Sequence, residues 1–177
     1  MKRYILTGTA GSGKTSIIHA LKRQGYAVVE EAATDISTLE QRQGNPEPWR
    51  QPDFIAKIVR LQQQRQLATS TEPCELQFYD RSPMCTYALS RYLGYPPSPD
   101  LLQELERIER EQVYQRRVFF IDNLGLCLPT EVRRISFEES LTFEKIHLET
   151  YVSFGYDCIN IAAKSLAERV SSIIARC

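Results

Sequence analysis

The sequence contains few of the side chains from which metal centres and disulfide frameworks are built. Its 177 residues include two histidines and five cysteines, and no two cysteines form a C-x-x-C pair. An odd number of widely spaced cysteines argues against a disulfide framework or a zinc site and favours a reducing compartment. We interpret His19 and His147 as surface or packing residues of helices, because a His-based metal centre would find few partner ligands.

Long apolar runs and an excess of one charge are also missing. No run approaches the roughly 20 apolar residues of a membrane-spanning helix, and the N-terminus reaches Thr7 and Gly8 too soon for a signal-peptide core. The 22 Lys and Arg residues balance the 22 Asp and Glu residues, so a generally basic surface is not indicated. We therefore expect a cytoplasmic protein without nucleic-acid or membrane partners, folded as one domain over residues 1–177.

Short apolar runs alternate with longer amphipathic patterns along the chain. The apolar runs predict strands at 4–6, 26–29, 76–79, 118–121 and 157–161. The starts of two later helices are predicted at Ser136 and Ser165, because each is followed three residues later by a Glu, as in a capping box. Alternating strands and helices predict a three-layer α/β domain with a parallel sheet covered on both sides.

The segment GTAGSGKT, residues 8–15, matches the phosphate-binding pattern G-x-x-x-x-G-K-[ST] between a predicted strand and a predicted helix. Its glycines let backbone N–H groups point at phosphate oxygens, and the helix N-terminus adds positive potential. Lys14 is predicted to reach the β- and γ-phosphates and the Thr15 hydroxyl to ligate Mg²⁺. The predicted nucleotide-binding residues are Gly8, Thr9, Ala10, Gly11, Ser12, Gly13, Lys14, Thr15 and Ser16.

Charged residues follow the predicted strands at the sheet edge where ligands of open parallel sheets bind. Asp80 comes directly after an apolar strand, which predicts a Walker-B-type carboxylate for the Mg²⁺ opposite Thr15. Asp80 is alternatively a cap of the next helix, although Ser82, just before Pro83, suits that position better. Arg81 is then free to bind phosphoryl oxygens bidentately.

A carboxylate after the second strand is predicted to act on an acceptor hydroxyl. Glu30 and Glu31 both stand there, and the sequence does not choose between them or exclude a solvated strand end. Further along, Arg133 and Arg134 immediately precede a helix, where positive charge opposes the helix dipole. We interpret both arginines as catalytic residues of a mobile lid around residues 125–137, with ordinary surface arginines as the alternative.

The segments GTAGSGKTS, VVEEAATDI, FYDRSP and EVRRISFEES occur in an order that resembles the P-loop nucleoside and nucleotide kinases. More narrowly, the chain resembles the small AAA-type ATPases related to ribosylnicotinamide kinase domains. The resemblance implies a three-layer α/β/α P-loop NTPase fold with five parallel strands in the order 2-3-1-4-5. The roles that it implies are metal binding for Asp80, phosphate binding for Arg81, a catalytic base at Glu30 or Glu31, and lid arginines at Arg133 and Arg134.

Two functions are compatible with these residues. One is a Mg²⁺-dependent kinase that transfers the γ-phosphoryl of ATP to a hydroxyl of a small, nucleoside-like acceptor, with Trp49, Phe54 and Arg65 as candidate pocket residues. The other is a regulatory module that hydrolyses ATP or GTP without such an acceptor. The carboxylates after the second and third strands favour the kinase. The sequence leaves open the acceptor, the choice between ATP and GTP, and the oligomeric state.

Overall fold

The computed structural model describes residues 1–9, 11–69, 74–124 and 136–177. The strands are β1 (Lys2–Thr7), β2 (Ala27–Val29), β3 (Leu76–Asp80), β4 (Arg117–Ile121) and β5 (Asp157–Ile161). The helices are α1 (Lys14–Arg23), α2 (Ala32–Arg42), α3 (Phe54–Thr69), α4 (Pro83–Leu93), α5 (Pro99–Glu111), α6 (Phe137–Ser153) and α7 (Leu166–Ile174), with a 3₁₀ turn at Pro48–Arg50. All five predicted strands are confirmed, with ends that shift by two residues or fewer.

The strands form one parallel sheet in the order β2-β3-β1-β4-β5, as the resemblance implied. In the register of the central strand, Leu6 lies opposite Asp80 of β3, and Thr7 lies opposite Phe120 of β4. The carboxyl end of β1 therefore opens between the ends of β3 and β4. The chain places β2 and β3 on one side of β1 and then β4 and β5 on the other side. Ligands of open α/β sheets bind at such a reversal of the strand order.

Successive side chains of β1 point to opposite faces of the sheet, and each face carries its own apolar core. Ile5 faces a core shared with α3, α4 and α5, whereas Tyr4 and Leu6 face a core shared with α1 and α7. Ile5 and Leu6 are fully buried, and such a side chain contributes roughly 1.5–3 kcal/mol through the area it removes from water. The central strand is thus held on both faces, which fixes the position of the loop that follows it.

The predicted helix starts are confirmed for α6 and α7, where Ser136 and Ser165 both complete capping boxes. At α4 the prediction was only half right. Ser82 occupies the N-cap position ahead of Pro83, but its hydroxyl makes no capping bond and instead lies 2.7 Å from the hydroxyl of Tyr151. The buried Tyr151 needs a hydrogen-bond partner, and Ser82 supplies it.

Some predictions fall outside the described residues. They concern Ala10 of the phosphate-binding loop and the lid arginines Arg133 and Arg134. Among the described ranges, no helix combines the length and the apolar character needed to cross a membrane.

Candidate functional site

The loop after β1 requires glycine at two positions for steric reasons. Gly8 has a φ of 125°, and a Cβ there would collide with the backbone carbonyl of Ile121. Gly13, the N-cap of α1, has a φ of 83°, and a Cβ would lie 3.0 Å from Nη1 of Arg169. These contacts keep the loop against β4 on one side and α7 on the other. The first turn of α1 is thereby aimed at the carboxyl end of the sheet.

Lys14 is buried inside this loop. Its Nζ donates to the carbonyl oxygens of Gly8 at 3.1 Å and Thr9 at 2.5 Å, and to the hydroxyl of Ser12 at 3.2 Å. Burial lowers the pKa of Lys14, and the nearby Arg81 guanidinium lowers it further, whereas the carboxylates of Asp80 and Glu31 oppose the shift. Lys14 therefore shares one electrostatic environment with the residues at the ends of β2 and β3.

Thr15 and Asp80 come together as two oxygen donors beside Lys14. The Thr15 hydroxyl donates to Oδ2 of Asp80 at 3.1 Å. Oδ1 of Asp80 is buried and has no hydrogen-bond partner among the described residues. Burial, followed by the negative charge of Glu31, raises the pKa of Asp80. A buried carboxylate oxygen without a partner, next to a hydroxyl, fits a hard divalent cation.

The described ranges hold no group of three or more His, Cys, Asp or Glu side chains that is placed to bind a metal. A Mg²⁺ site requires fewer protein ligands, because the ion is usually held by one or two protein oxygens together with water and nucleotide phosphates. Asp80 ends β3, and Ser82 rather than Asp80 stands at the N-cap of α4. The alternative interpretation of Asp80 as a helix cap is therefore not supported.

Arg81 has a backbone conformation that is rare for a residue with a side chain. Its φ is 72°, and its N–H donates to the carbonyl of Leu6 at 3.0 Å, which ties it to the central strand. Such a conformation costs on the order of 1 kcal/mol and recurs at functional sites, although Gln112 at the end of α5 also has a positive φ of 48°. The guanidinium Nε lies 2.5 Å from Oε1 of Glu31, and Nη1 lies 3.1 Å from Nε2 of His147. Phosphate binding by Arg81 stays a prediction.

The structure distinguishes the two glutamates after β2. Glu30 is exposed and forms a surface ion pair with Lys22 at 3.0 Å, which lowers the pKa of Glu30. Glu31 instead turns inward to Arg81, and its Oε2 accepts from the hydroxyl of Thr34 at 2.7 Å. Only Glu31 of the pair therefore lies in the cluster with Lys14 and Arg81.

Arg65 of α3 holds the segment that carries these glutamates. Its Nη1 donates to the backbone carbonyls of Glu30 at 2.9 Å and Glu31 at 3.0 Å, and Nη2 contacts Asp35 at 2.5 Å. Arg65 thus fixes the backbone at the start of α2. The other candidate pocket residues pack in the core: Phe54 is buried in it, and Trp49 is half-buried against it.

Helix α6 brings two further polar side chains to the site. Glu144 lies near Thr9 of the loop, its buried Oε2 finds no hydrogen-bond partner among the described residues, and burial raises its pKa. Asn123, after β4, donates to the Thr9 hydroxyl at 3.2 Å. His147, one turn further along α6, is fully buried and contacts Arg81. Burial, the positive charge of Arg81 and that of Lys14 lower the pKa of His147 to about 3, against a weaker raising effect of the hydrogen bond to Phe143.

Helix α7 supports the loop from its other side. Arg169 is 4% exposed, its Nη2 donates to the carbonyl of Ser12, and its Nε finds no partner among the described residues. Because the backbone carbonyl of Ser12 is occupied in this way, the loop is anchored to α7 just before Gly13.

The comparison with protein families agrees with this architecture. The family model described as "AAA domain" matches residues 3–169. The chain belongs to this AAA domain family. No curated protein sequence matches it.

Solved structures with the same fold include nucleoside kinases. A deoxyadenosine kinase from M. mycoides with products dCMP and a flexible dCDP bound is 14% identical, with a TM-score of 0.66, and the match covers 98% of this chain and 97% of that one. NadR in complex with NR is 19% identical, with a TM-score of 0.73, over 99% of this chain and 50% of that one. NadR in complex with NAD and AMP-PNP is 18% identical, with a TM-score of 0.67, over 99% and 48%. This AAA-domain chain thus has a nucleotide-kinase-like P-loop fold and spans about half the length of the NadR chains.

Sequence reasoning missed three residues of the site. Arg169 of α7 and Glu144 of α6 lie far along the chain from the loop beside them, and His147 of α6 is likewise distant along the chain from Arg81, which it contacts. The spacing of Glu144 and His147 places them on one helical face with the buried Ser140 and Tyr151. That periodicity is a signal, since a Glu on a buried helical face needs a polar partner.

Proposed function

We propose that this AAA-domain chain is a Mg²⁺-dependent kinase that transfers the γ-phosphoryl group of ATP to a hydroxyl of a small, nucleoside-like molecule. The observation that carries the proposal is the contact between Glu31 and Arg81, whose Oε1 and Nε lie 2.5 Å apart beside Lys14 and Asp80. A carboxylate at this place can orient or deprotonate the nucleophile of phosphoryl transfer, which a protein that only binds a nucleotide does not require.

The loop residues Gly8, Thr9, Gly11, Ser12, Gly13 and Ser16 supply the phosphate cradle of the proposed enzyme, together with Ala10 on sequence grounds. Lys14 binds the β- and γ-phosphates, and its ammonium exchanges the carbonyls of Gly8 and Thr9 for phosphoryl oxygens. Thr15 and Asp80 would hold Mg²⁺, which would neutralise charge that develops on the phosphates.

Glu31 is the proposed general base, and Glu30 is not part of the site. The acceptor oxygen forms a bond to the γ-phosphorus while the bond from that phosphorus to the β,γ-bridging oxygen breaks. The hydroxyl proton passes to the Glu31 carboxylate, and ADP leaves with the bridging oxygen. Arg81 stabilises negative charge on the transferring group, as do Arg133 and Arg134, which are assigned to a lid from the sequence alone.

The class of acceptor is supported by the ligands of the structural neighbours. The M. mycoides enzyme was captured with dCMP and dCDP, and NadR was captured with NR in one complex and with NAD and AMP-PNP in another. All of these ligands carry nucleoside-like groups. We therefore place a nucleoside-like acceptor ahead of other small alcohols, in a one-domain cytoplasmic protein that uses ATP, with GTP as the alternative donor.

The test is ADP formation from ATP and Mg²⁺, measured with and without each member of a panel of nucleosides, nucleotides and small alcohols. We expect at least one nucleoside-like compound to raise ADP formation, with an equal amount of phosphorylated acceptor seen by mass spectrometry. The same panel with GTP identifies the preferred donor. Hydrolysis that no acceptor changes would contradict the kinase and support the regulatory module.

A further inference from the structure

The side chain of Arg81 is enclosed by two elements that are distant in the sequence. It is 11% exposed, and its guanidinium contacts Glu31 at the start of α2 and His147 in the middle of α6. A guanidinium has five N–H donors and no acceptor, so each buried N–H requires a partner that accepts. Both oxygens of the Glu31 carboxylate are acceptors, so Glu31 can accept from Arg81 through either of them. His147 accepts only if the ring nitrogen that faces Arg81 carries no proton.

The second ring nitrogen of His147 fixes this tautomer. Nδ1 lies 2.9 Å from the backbone carbonyl oxygen of Phe143, one turn earlier in α6. A carbonyl oxygen can only accept, so Nδ1 carries the proton and Nε2 presents its lone pair to Nη1 of Arg81 at 3.1 Å. A protonated imidazolium would instead point an N–H at the guanidinium.

The imidazole is also held in its orientation by packing. The ring centroids of His147 and Phe143 lie 4.1 Å apart with an interplanar angle of 68°. His147 is fully buried, and α6 packs along α4, the helix that begins two residues after Arg81. The acceptor lone pair is therefore fixed in space before any ligand arrives, which is what preorganisation of a charged group requires.

From this geometry we propose that His147 is a positioning residue, which holds the Arg81 guanidinium in place against Glu31 through Nε2. Without the contact to His147, the long side chain of Arg81 at the end of β3 could adopt several rotamers beside Glu31. With Nη1 held by His147, Nε of Arg81 stays directed at Oε1 of Glu31. The effect of His147 on catalysis rests on the proposed function, whereas its effect on the conformation of Arg81 does not.

Two amide substitutions separate positioning from packing. The amide of His147→Gln reaches the place of Nε2 and keeps an acceptor for Arg81. The shorter amide of His147→Asn keeps only the bond to the carbonyl of Phe143. Both variants bury one amide, but His147→Asn is smaller by a methylene. His147→Leu, close to histidine in volume and without an acceptor, should therefore accelerate exchange as His147→Asn does. The matched control is His19→Gln, because His19 is exposed on α1.

The primary measurement is the ¹⁵N–¹H correlation spectrum of arginine side chains, in which Arg81→Lys identifies the Nε–H signal of Arg81. We expect exchange of that proton with water to be about tenfold faster in His147→Asn and unchanged in His147→Gln and His19→Gln, as hydrogen-bond protection predicts. Equal exchange rates in His147→Asn and the unsubstituted protein would overturn the proposal. Equal acceleration in His147→Asn and His147→Gln would also overturn it, since a packing defect then explains the effect.

The kinetic measurement adds the link to catalysis. We expect kcat to fall about tenfold in His147→Asn at an unchanged KM for ATP, and to recover in His147→Gln, because the residue acts on an orientation and not on nucleotide binding. If no acceptor is phosphorylated by the unsubstituted protein, the proposed function fails while the exchange measurement still decides the role of His147. A rise in the KM for ATP without a change in kcat would contradict positioning.

Discussion

Nε of Arg81 lies 2.5 Å from Oε1 of Glu31, although the two residues follow different strands. The contact joins the end of β3 to the start of α2, and Arg81 has a φ of 72°. Because β2 and β3 are adjacent and parallel, their carboxyl ends meet at one edge, and the pair lies next to the phosphate-binding loop after β1. The site thus contains a carboxylate, Glu31, besides the loop and metal residues that a nucleotide alone requires.

Lys14 should dominate nucleotide binding. Its Nζ already lies among the loop carbonyls, with 2.5 Å to the oxygen of Thr9, and a phosphate contact with a buried ammonium is stronger than a neutral one. We expect Lys14→Met to weaken ATP binding by about tenfold or more, which corresponds to at least about 1.4 kcal/mol. Isothermal titration calorimetry measures the affinity for ATP. The control is Lys22→Met, because Lys22 is exposed and pairs with Glu30; equal affinities of both variants would contradict the assignment.

The metal role of Asp80 predicts a dependence on Mg²⁺. Its Oδ1 is buried without a partner among the described residues, and Oδ2 accepts from Thr15. We expect Mg²⁺ to raise the midpoint of thermal unfolding in the presence of ATP, because a ligand that binds only the folded state stabilises it. The increment due to Mg²⁺ should disappear in Asp80→Asn. An increment of the same size in Asp80→Asn would show that the ion is held elsewhere.

Gly13 tests the steric coupling between the loop and α7. Gly13 and Gly44 both have positive φ, 83° and 93°, but only a Cβ on Gly13 would meet a neighbour, Nη1 of Arg169 at 3.0 Å. Alanine at either position should cost about 1–2 kcal/mol in the free energy of unfolding. We expect weakened ATP binding in Gly13→Ala alone, since the Arg169 guanidinium, which holds the Ser12 carbonyl of the loop, would have to give way. Urea unfolding and calorimetry on both variants check this, and unchanged ATP affinity in Gly13→Ala would count against the coupling.

The neutral state of His147 predicts a pH dependence of stability. Its pKa is lowered from 6.5 to about 3 in the folded protein, so the unfolded chain takes up a proton that the folded chain refuses. The resulting stability is fully present above pH 6.5 and is lost as the pH falls from 6.5 toward 3, by about 1.4 kcal/mol per unit. Between pH 7.5 and 5.5, the unsubstituted protein should therefore lose about 1.4 kcal/mol more than His147→Gln.

Urea unfolding at several pH values measures that difference. The titration of Asp80 has the opposite sign, because its pKa is raised and the folded state takes up the proton first. Asp80 is present in both proteins, so its contribution cancels in the comparison. Parallel stability curves for the unsubstituted protein and His147→Gln would mean that His147 has the same pKa in the folded protein as in the unfolded chain, which contradicts the prediction.

Most of the fold could be predicted from the sequence, because its signals are local. Strands such as β4 are short apolar runs, and the capping boxes at Ser136 and Ser165 are read within four residues. The nucleotide loop is a contiguous motif. The choice of Glu31 over Glu30 could not be predicted, since it depends on the direction in which the backbone enters α2 under the hold of Arg65.

Long-range contacts account for the other differences. The hydroxyl of Ser82 bonds to Tyr151, which comes from α6, so local rules for helix caps assigned it to the wrong partner. The sequence predicts His147 as a surface or packing residue of a helix. It is buried on α6, and its contact with Arg81 depends on how α6 lies across α4. Contacts between distant elements leave little trace in a single sequence, whereas motifs and helix caps are visible in a few consecutive residues.

The most direct test of the account compares two adjacent glutamates. In acceptor-dependent phosphorylation with saturating ATP and Mg²⁺, Glu31→Gln should lower kcat by about 100-fold or more, as expected on removal of a general base. Glu30→Gln should leave kcat nearly unchanged, because Glu30 is exposed and pairs with Lys22. Both variants should bind ATP as the unsubstituted protein does. Equal kcat values for Glu31→Gln and Glu30→Gln would contradict the central claim that Glu31 acts on the acceptor.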